Sequence, residues 1–116
     1  QPYLRQAQRE MQEMLMRLQI NLAHAEQTRE DTVTVLVRRF DSLLTLGRLA
    51  RLVQTIHQRL LSLYPDIREN LVEEARHVQA EATALLDVED NAFADHIPPF
   101  LDRALRFNRR LEQVLY

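Results

Sequence analysis

Glu74 and His77 have the clearest spacing for chemistry in this sequence, because they lie one helical turn apart. A Glu-x-x-His step places a carboxylate and an imidazole on one helix face, as di-iron helical bundles require. Those centres need the motif twice and two further glutamates, whereas this chain has it once, away from the apolar face of its segment. We therefore interpret the two residues as a surface pair.

Other possible metal ligands are poorly spaced. His24, His57 and His96 lie on separate segments, without the short spacing of a local zinc pair. Residues 87–95 place oxygen-bearing side chains at positions 1, 3, 5 and 9 of a calcium loop, but Ala92 occupies the glycine position and Pro98 the glutamate position. The sequence predicts no metal and no cofactor.

Catalytic and nucleic-acid signals are also weak. The chain has no cysteine and no glycine-rich phosphate loop, and Ser42 and Ser62 have no histidine and acid at helical spacing. We therefore predict that the chain is not an enzyme. Its basic residues are all arginines, which concentrate in residues 33–63 and 97–116, but the net charge is −2 and aromatic residues make up only 6%. This balance argues against binding to nucleic acid.

The element that organises the chain is residues 32–63, which contain no proline and one glycine. Apolar side chains recur every three or four positions, the spacing of an amphipathic helix. We expect one buried face formed by Val33, Leu36, Phe40, Leu43, Leu46, Leu49, Val53, Ile56, Leu60 and Leu63. A helix of ~48 Å can bury such a face only against other helices, so the fold class is all-α.

Three further segments show helical spacing. The first runs from Tyr3 to about Ala25, the third follows Pro65, and the fourth is predicted to begin near His96 with Pro98 or Pro99 in its first turn. Residues 87–91 form an acidic linker between the last two. The core residues expected on these segments are Leu4, Ala7, Met11, Met14, Leu15, Leu18, Leu22, Ala25, Ile67, Leu71, Ala75, Val78, Ala82, Leu85, Leu101, Ala104, Leu105, Leu111, Val114 and Leu115.

Short connections favour an antiparallel up-down-up-down four-helix bundle over residues 1–116 as a single domain. Thr28 to Asp31 resembles a capping box at the start of the second helix. Gly47 predicts a kink or a close helix crossing, and a complete break there would give five helices. The third segment is acidic and the second and fourth are basic, so complementary edges would guide their packing.

Three apolar residues fall off the expected buried faces: Met16, Ile20 and Val35. We expect them to be exposed in a monomer and to contact a protein partner or a second copy of the chain. The leading hypothesis is a non-catalytic interaction or assembly module. The alternative is a sensory or regulatory four-helix domain of a larger receptor that binds a small molecule between its helices.

No apolar run is long enough for a membrane span, so no membrane insertion is predicted. The sequence begins at Gln1 and ends at Tyr116 within a helical pattern, which is consistent with a domain excised from a longer protein. It assigns no cellular compartment.

Overall fold

The computed structural model describes residues 2–27, 31–63, 69–88 and 90–116, which form four helices joined by short connections. In chain order the helices are α1 (Pro2–Gln27), α2 (Thr32–Leu63), α3 (Glu69–Leu85) and α4 (Asp90–Leu115). The described residues contain no strand, so the all-α bundle is confirmed. None of the helices, over these residues, has the length and apolarity needed to cross a membrane.

The helices form a closed ring in which each packs against its neighbours in the chain and α4 returns to α1. Over the described residues the two diagonal pairs do not pack against each other. At one end Tyr3 lies beneath the guanidinium of Arg59, and farther along Arg17 contacts Asp41. Residue numbers therefore rise along α1 as they fall along α2, which makes the two helices antiparallel.

Helix α4 runs antiparallel to both of its neighbours. The Nε of Arg5 donates to the carbonyl of Leu115 at 3.1 Å, so the start of α1 lies beside the end of α4. Arg103 meets Glu81 across the α3–α4 contact at 2.6 Å, after a turn at residues 86–88 that reverses the chain. These contacts give the up-down-up-down topology predicted from the short links.

The core is one continuous apolar cluster along the axis of the ring. Its largest fully buried side chains are Phe100, Phe107, Leu4, Met11, Leu15, Leu18, Leu46, Leu49, Ile56, Leu60, Leu71 and Leu111. The predicted buried faces of α1 and α3 agree with it over most of their length, while Ile67 lies outside the described residues. On α4 the core also takes in Ile97, Phe100 and Phe107, which we did not predict.

The lengths of α2 and α3 differ enough to leave part of α2 without a neighbour. Helix α2 has 32 residues and α3 has 17, a difference of ~22 Å at the usual rise. Helix α2 ends at Leu63 and α3 begins at Glu69 and runs antiparallel to it, so α3 accompanies the C-terminal half of α2 and ends near its middle. The buried residues of α2 accordingly begin only at Ser42.

The predicted core assignment of the N-terminal part of α2 is wrong. Val33, Leu36 and Phe40 are 69%, 53% and 63% exposed. From Phe40 to Leu49 the apolar residues follow in three steps of three, and each step falls about 60° short of a full turn. The apolar stripe therefore rotates by half a turn, so its first residues point away from the core.

Seven other predicted core residues lie outside the buried set. Met14, Leu22 and Leu105 are half-buried and pack against the core, and four more are less well covered or lie at the edge of it. Leu63 and Ala25 are exposed close to helix ends. Val114 is exposed because it lies off the face that contains the buried Leu111 and Leu115. Leu43, at the middle of the rotation described above, is half-buried.

The predicted start of the last helix is also wrong, because α4 begins at Asp90 and contains both prolines. Each proline removes an N–H that would bond the carbonyl four residues earlier, on Ala94 and Asp95. These residues and both prolines are exposed, so water can satisfy the two carbonyls. The acidic linker is correspondingly shorter than predicted.

Helix α2 is capped by Asp31. Its Oδ1 accepts the N–H of Thr34 at 2.7 Å, and its carbonyl accepts the N–H of Val35 at 3.1 Å. The backbone bond from Thr34 lowers the pKa of the Asp31 carboxyl. Asp31 thus has the capping position that we assigned to Thr28, which lies outside the described residues.

Helix α2 continues through Gly47 without a break, so the five-helix alternative is wrong. A Cβ built on Gly47 would have no neighbour within 4 Å, which also excludes a close crossing by another helix of this chain at that point.

We therefore expect Gly47→Ala to raise the free energy of unfolding by about 0.5–1 kcal/mol, because alanine is the better helix former and meets nothing. Urea unfolding followed by far-UV circular dichroism measures this difference. A decrease of similar size would contradict the open space at Gly47.

Candidate functional site

The largest group of apolar side chains outside the core lies on the N-terminal half of α2. We call it the outer stripe, and its members are Val33, Leu36, Val37, Phe40 and Leu44, which are 69%, 53%, 64%, 63% and 47% exposed. Single exposed apolar residues are ordinary on soluble proteins, but contiguous patches usually mark interaction surfaces. The outer stripe is therefore the first candidate site.

The spacing of the outer stripe gives it one direction. Val33, Val37, Phe40 and Leu44 follow in steps of four, three and four, which keeps them within a sector of about 60° at 100° per residue. On the same projection the buried Leu49 lies about 160° from Val33, on the opposite side of the helix. The stripe faces outward from the bundle.

Helix α1 adds two apolar side chains at the same level of the bundle. Met16 and Ile20 are 50% and 52% exposed, as the sequence predicted. They lie on either side of Arg17, whose Nη2 bonds the Oδ1 of Asp41 at 2.8 Å. Asp41 directly follows Phe40. The contact between Arg17 and Asp41 therefore places Met16 and Ile20 at the same height along the bundle axis as the outer stripe.

Val35 occupies a different place. It lines a cleft of about 220 Å³ between α1, α2 and α4, at the end of the bundle that α3 does not reach. The apolar walls are formed by Leu18, Leu22, Ala25, Val35, Phe93, Ala94 and Ile97, and the polar ones by Asn21, Arg38, Arg39 and Ser42. The structure thus separates Val35 from Met16 and Ile20, which do not line this cleft.

A polar cluster joins α1 to α2 between the outer stripe and the cleft. Two nitrogens of Arg17 donate to the two carboxylate oxygens of Asp41, each at 2.8 Å. The Nδ2 of Asn21 donates to Asp41 at 2.8 Å and to the hydroxyl of Ser42 at 3.1 Å. These bonds lower the pKa of the Asp41 carboxyl, and the bond from Arg17 has the largest effect. They also fix the register of the two helices.

This lowered pKa predicts a dependence of stability on pH. A carboxyl whose pKa is lower in the folded than in the unfolded chain stabilises the fold above its ordinary pKa of 3.8, and that contribution disappears as the pH falls through the folded value. We expect Asp41→Asn to lose less stability than the unchanged protein between about pH 5 and pH 2. Urea unfolding over this range tests it, with Asp102→Asn as control; identical slopes for all three proteins would contradict it.

The charge pattern only partly follows the prediction of complementary edges. Helix α3 makes ion pairs with α4, where Glu74 contacts Arg110 and Glu81 contacts Arg103. In the described part of the chain, no carboxylate of α3 forms an ion pair with an arginine of α2. Helix α2 itself has five arginines and one aspartate.

The residues considered for metal binding have other contacts. Glu74 is engaged by Arg110, whereas His77 lies 3.4 Å from Glu73. His96 meets the carbonyl of Ala92 within its own helix at 2.8 Å. Across the described residues no three histidine, aspartate or glutamate side chains come together in a way that could hold a metal ion.

The sequence reasoning missed the outer stripe because it followed the apolar residues along a single drifting line. The signal that identifies the stripe is the spacing of steps four, three and four from Val33 to Leu44, which is the heptad spacing of a helix–helix seam. That seam ends at Gly47 and Arg51, the next two heptad positions. The buried residues of α2, by contrast, begin at Ser42 and Leu46 on the opposite side of the helix.

No protein-family model matches this chain, and neither do the curated proteins or the solved structures that were compared with it.

Proposed function

We propose that this chain is a non-catalytic helical-bundle module that associates with another protein through the outer stripe of α2, together with Met16 and Ile20 of α1. The observation that carries the proposal is that five large apolar side chains, 47% to 69% exposed, share one outward helix face. The ring of four helices already buries a continuous core without them. Their apolar character therefore has no use in the fold of the isolated chain.

The composition of the surface suits such a role. Buried apolar surface stabilises an association by roughly 25 cal/mol per Å², and one contact residue in the centre of an interface can contribute 2 kcal/mol or more. Phe40 is the natural centre, because it lies between Val37 and Leu44 and is the only aromatic side chain of the stripe. Methionine at position 16 adds an adaptable side chain at the edge.

The test is Phe40→Glu in the full-length protein, with Gln58→Glu as the matched control. Gln58 is exposed on the same side of α2, five turns farther along, and is replaced with the same charge change. We expect Phe40→Glu to leave the free energy of unfolding within about 0.5 kcal/mol and to abolish the assembly that the protein forms in extracts of its own cells, measured by sedimentation. The control should leave both unchanged.

Two results would overturn the proposal. One is a loss of more than about 2 kcal/mol of stability in Phe40→Glu, which would make the stripe part of the fold. The other is an identical sedimentation profile for the unchanged protein, Phe40→Glu and the control.

A second candidate function is supported by the cleft lined by Val35. Its volume of about 220 Å³ is below the usual range for drug-sized ligands but sufficient for a small apolar group. The arginines on its wall favour an anionic ligand, which would suit a sensory or regulatory domain.

Benzoate tests this second function, because it combines a small apolar ring with a carboxylate. It should shift the amide resonances around Leu22 and Phe93, and Ala25→Trp, which fills the cleft, should remove the shifts. Unchanged spectra would exclude a ligand site in the cleft.

A further inference from the structure

We infer that the partner seated on the outer stripe is an acidic amphipathic helix. This inference rests on the function proposed above and names the chemistry of the occupant. Three features of α2 support it: the spacing of the stripe, the open space over Gly47, and the arginines at its C-terminal end.

The spacing of the stripe fits a helix. Val33, Val37, Phe40 and Leu44 occupy consecutive core positions of a heptad seam, into which a partner helix inserts its own apolar side chains. From Val33 to Leu44 the seam is ~16 Å long, which corresponds to three turns of a partner. A β-strand or an irregular loop would not match side chains that recur with this period.

Gly47 continues the seam as the next heptad position after Leu44. It is the one glycine of the chain, and apart from its own stretch of helix no atom lies within 4 Å of the Cβ position that it lacks. A glycine inside a helix costs about 1 kcal/mol relative to alanine, and here no packing within the chain uses its small size. A partner backbone can approach α2 closely at this point.

The charges at this end of the seam decide which helix fits. Arg48 and Arg51 follow Gly47 on exposed positions. Arg48 has a long-range attraction to Asp41, whose two oxygens are already bonded by Arg17. In the part of the chain that the structure describes, the guanidinium of Arg51 forms no ion pair.

A second copy of this chain is the less suitable occupant. A two-fold contact brings the same surface of both copies together. With the two α2 helices parallel, Arg48 and Arg51 of one copy would approach those of the other, and with the helices antiparallel they would lie beside the apolar residues at the start of the stripe. Like charges at an interface are unfavourable, whereas opposite charges speed association and select the partner. Glutamates flanking the apolar seam of a partner helix would meet Arg48 and Arg51 with the opposite sign.

The experiment uses two synthetic peptides of three heptads each, with the same leucine seam. One has glutamate at the flanking positions and the other has lysine. Fluorescence anisotropy with the purified chain should give at least about tenfold tighter binding of the acidic peptide, with the difference decreasing as salt is raised.

Two pairs of substitutions separate local charge from net charge. Arg48→Glu with Arg51→Glu should reverse the preference between the peptides. Arg106→Glu with Arg109→Glu makes the same change in net charge at the same spacing on exposed positions of α4, and should leave the preference intact.

The possible results are distinct. Equal binding of both peptides, abolished by Phe40→Glu, would overturn the acidic partner while leaving the outer stripe as the contact surface of the proposed function. Dimerisation of the chain that is abolished by Phe40→Glu would identify a second copy as the occupant and would also overturn the inference. Binding of neither peptide would overturn it as well, whereas binding that persists in Phe40→Glu would count against the stripe itself.

Discussion

Leu49→Ala is expected to lower the free energy of unfolding by about 2–5 kcal/mol, whereas Leu36→Ala should change it by less than about 0.5 kcal/mol. Both leucines lie on α2 within one apparent apolar stripe, and both changes remove the same atoms. Leu49 is fully buried in the core, while Leu36 is 53% exposed. Leu49→Ala leaves a cavity lined by core side chains. In Leu36→Ala, solvent fills the space of the removed atoms.

Urea unfolding followed by circular dichroism measures both variants, and the helix propensities cancel because leucine is replaced with alanine in each. Similar losses for the two variants would show that the N-terminal half of α2 is packed in the folded chain. That result would contradict the separation of the core from the outer stripe.

The second large effect is expected at a buried polar pair between α1 and α4. Gln8 and Asn108 are 1% and 5% exposed. The Nε2 of Gln8 donates to the Oδ1 of Asn108 and to the Oε2 of Glu112, each at 3.2 Å. We expect Gln8→Ala to cost about 1–3 kcal/mol, because it leaves the buried Oδ1 of Asn108 without this donor. Asn108→Ala should cost less, because the Nε2 of Gln8 keeps its bond to Glu112.

A double-mutant cycle provides the control for this pair. The two single changes should not be additive, with a coupling of about 1 kcal/mol, since either one breaks the same bond. Replacing both residues with leucine should be close to neutral, because no polar group is then left unpaired. Additive losses would indicate that the two residues act independently.

The sequence predicted the class and topology of the fold because those depend on features that local patterns record. A proline-free run of 32 residues and short connections suffice for an antiparallel bundle. The polar pair at Gln8 and Asn108 was also visible in principle, since each lies four residues after a buried residue, Leu4 or Ala104. We did not identify it because a glutamine or an asparagine is far more often at the surface.

The boundary of α4 and the face of α2 could not be obtained in the same way. Proline usually marks the first turn of a helix, but here Pro98 and Pro99 lie on an exposed side where the lost backbone bonds can be replaced by water. Helix α2 has apolar residues on two opposite sides, with Phe40 on one and Leu49 on the other, and the neighbouring helices pack against the side of Leu49. A periodicity records which residues share a face, and only the neighbouring helices decide whether it is buried.

The rotation of the apolar stripe also explains where the predicted contact residues lie. The predicted contact residues Met16 and Ile20 are exposed, and their role in binding remains a prediction. Val35 was selected because it lies off the apparent stripe at Val33. The stripe rotates along α2, so Val33 faces outward. Val35 lies on the opposite side of the helix and therefore faces the cleft.

The most direct measurement is the rate at which a single cysteine at position 40 reacts with a maleimide. The chain has no cysteine of its own, so Phe40→Cys and the control Gln58→Cys each report on one position. In the dilute purified chain both should react rapidly. In the full-length protein inside its own cells, we predict that position 40 reacts at least about tenfold more slowly while position 58 is unchanged, because a partner covers the centre of the interface. Equal rates at position 40 in the two settings would contradict the account.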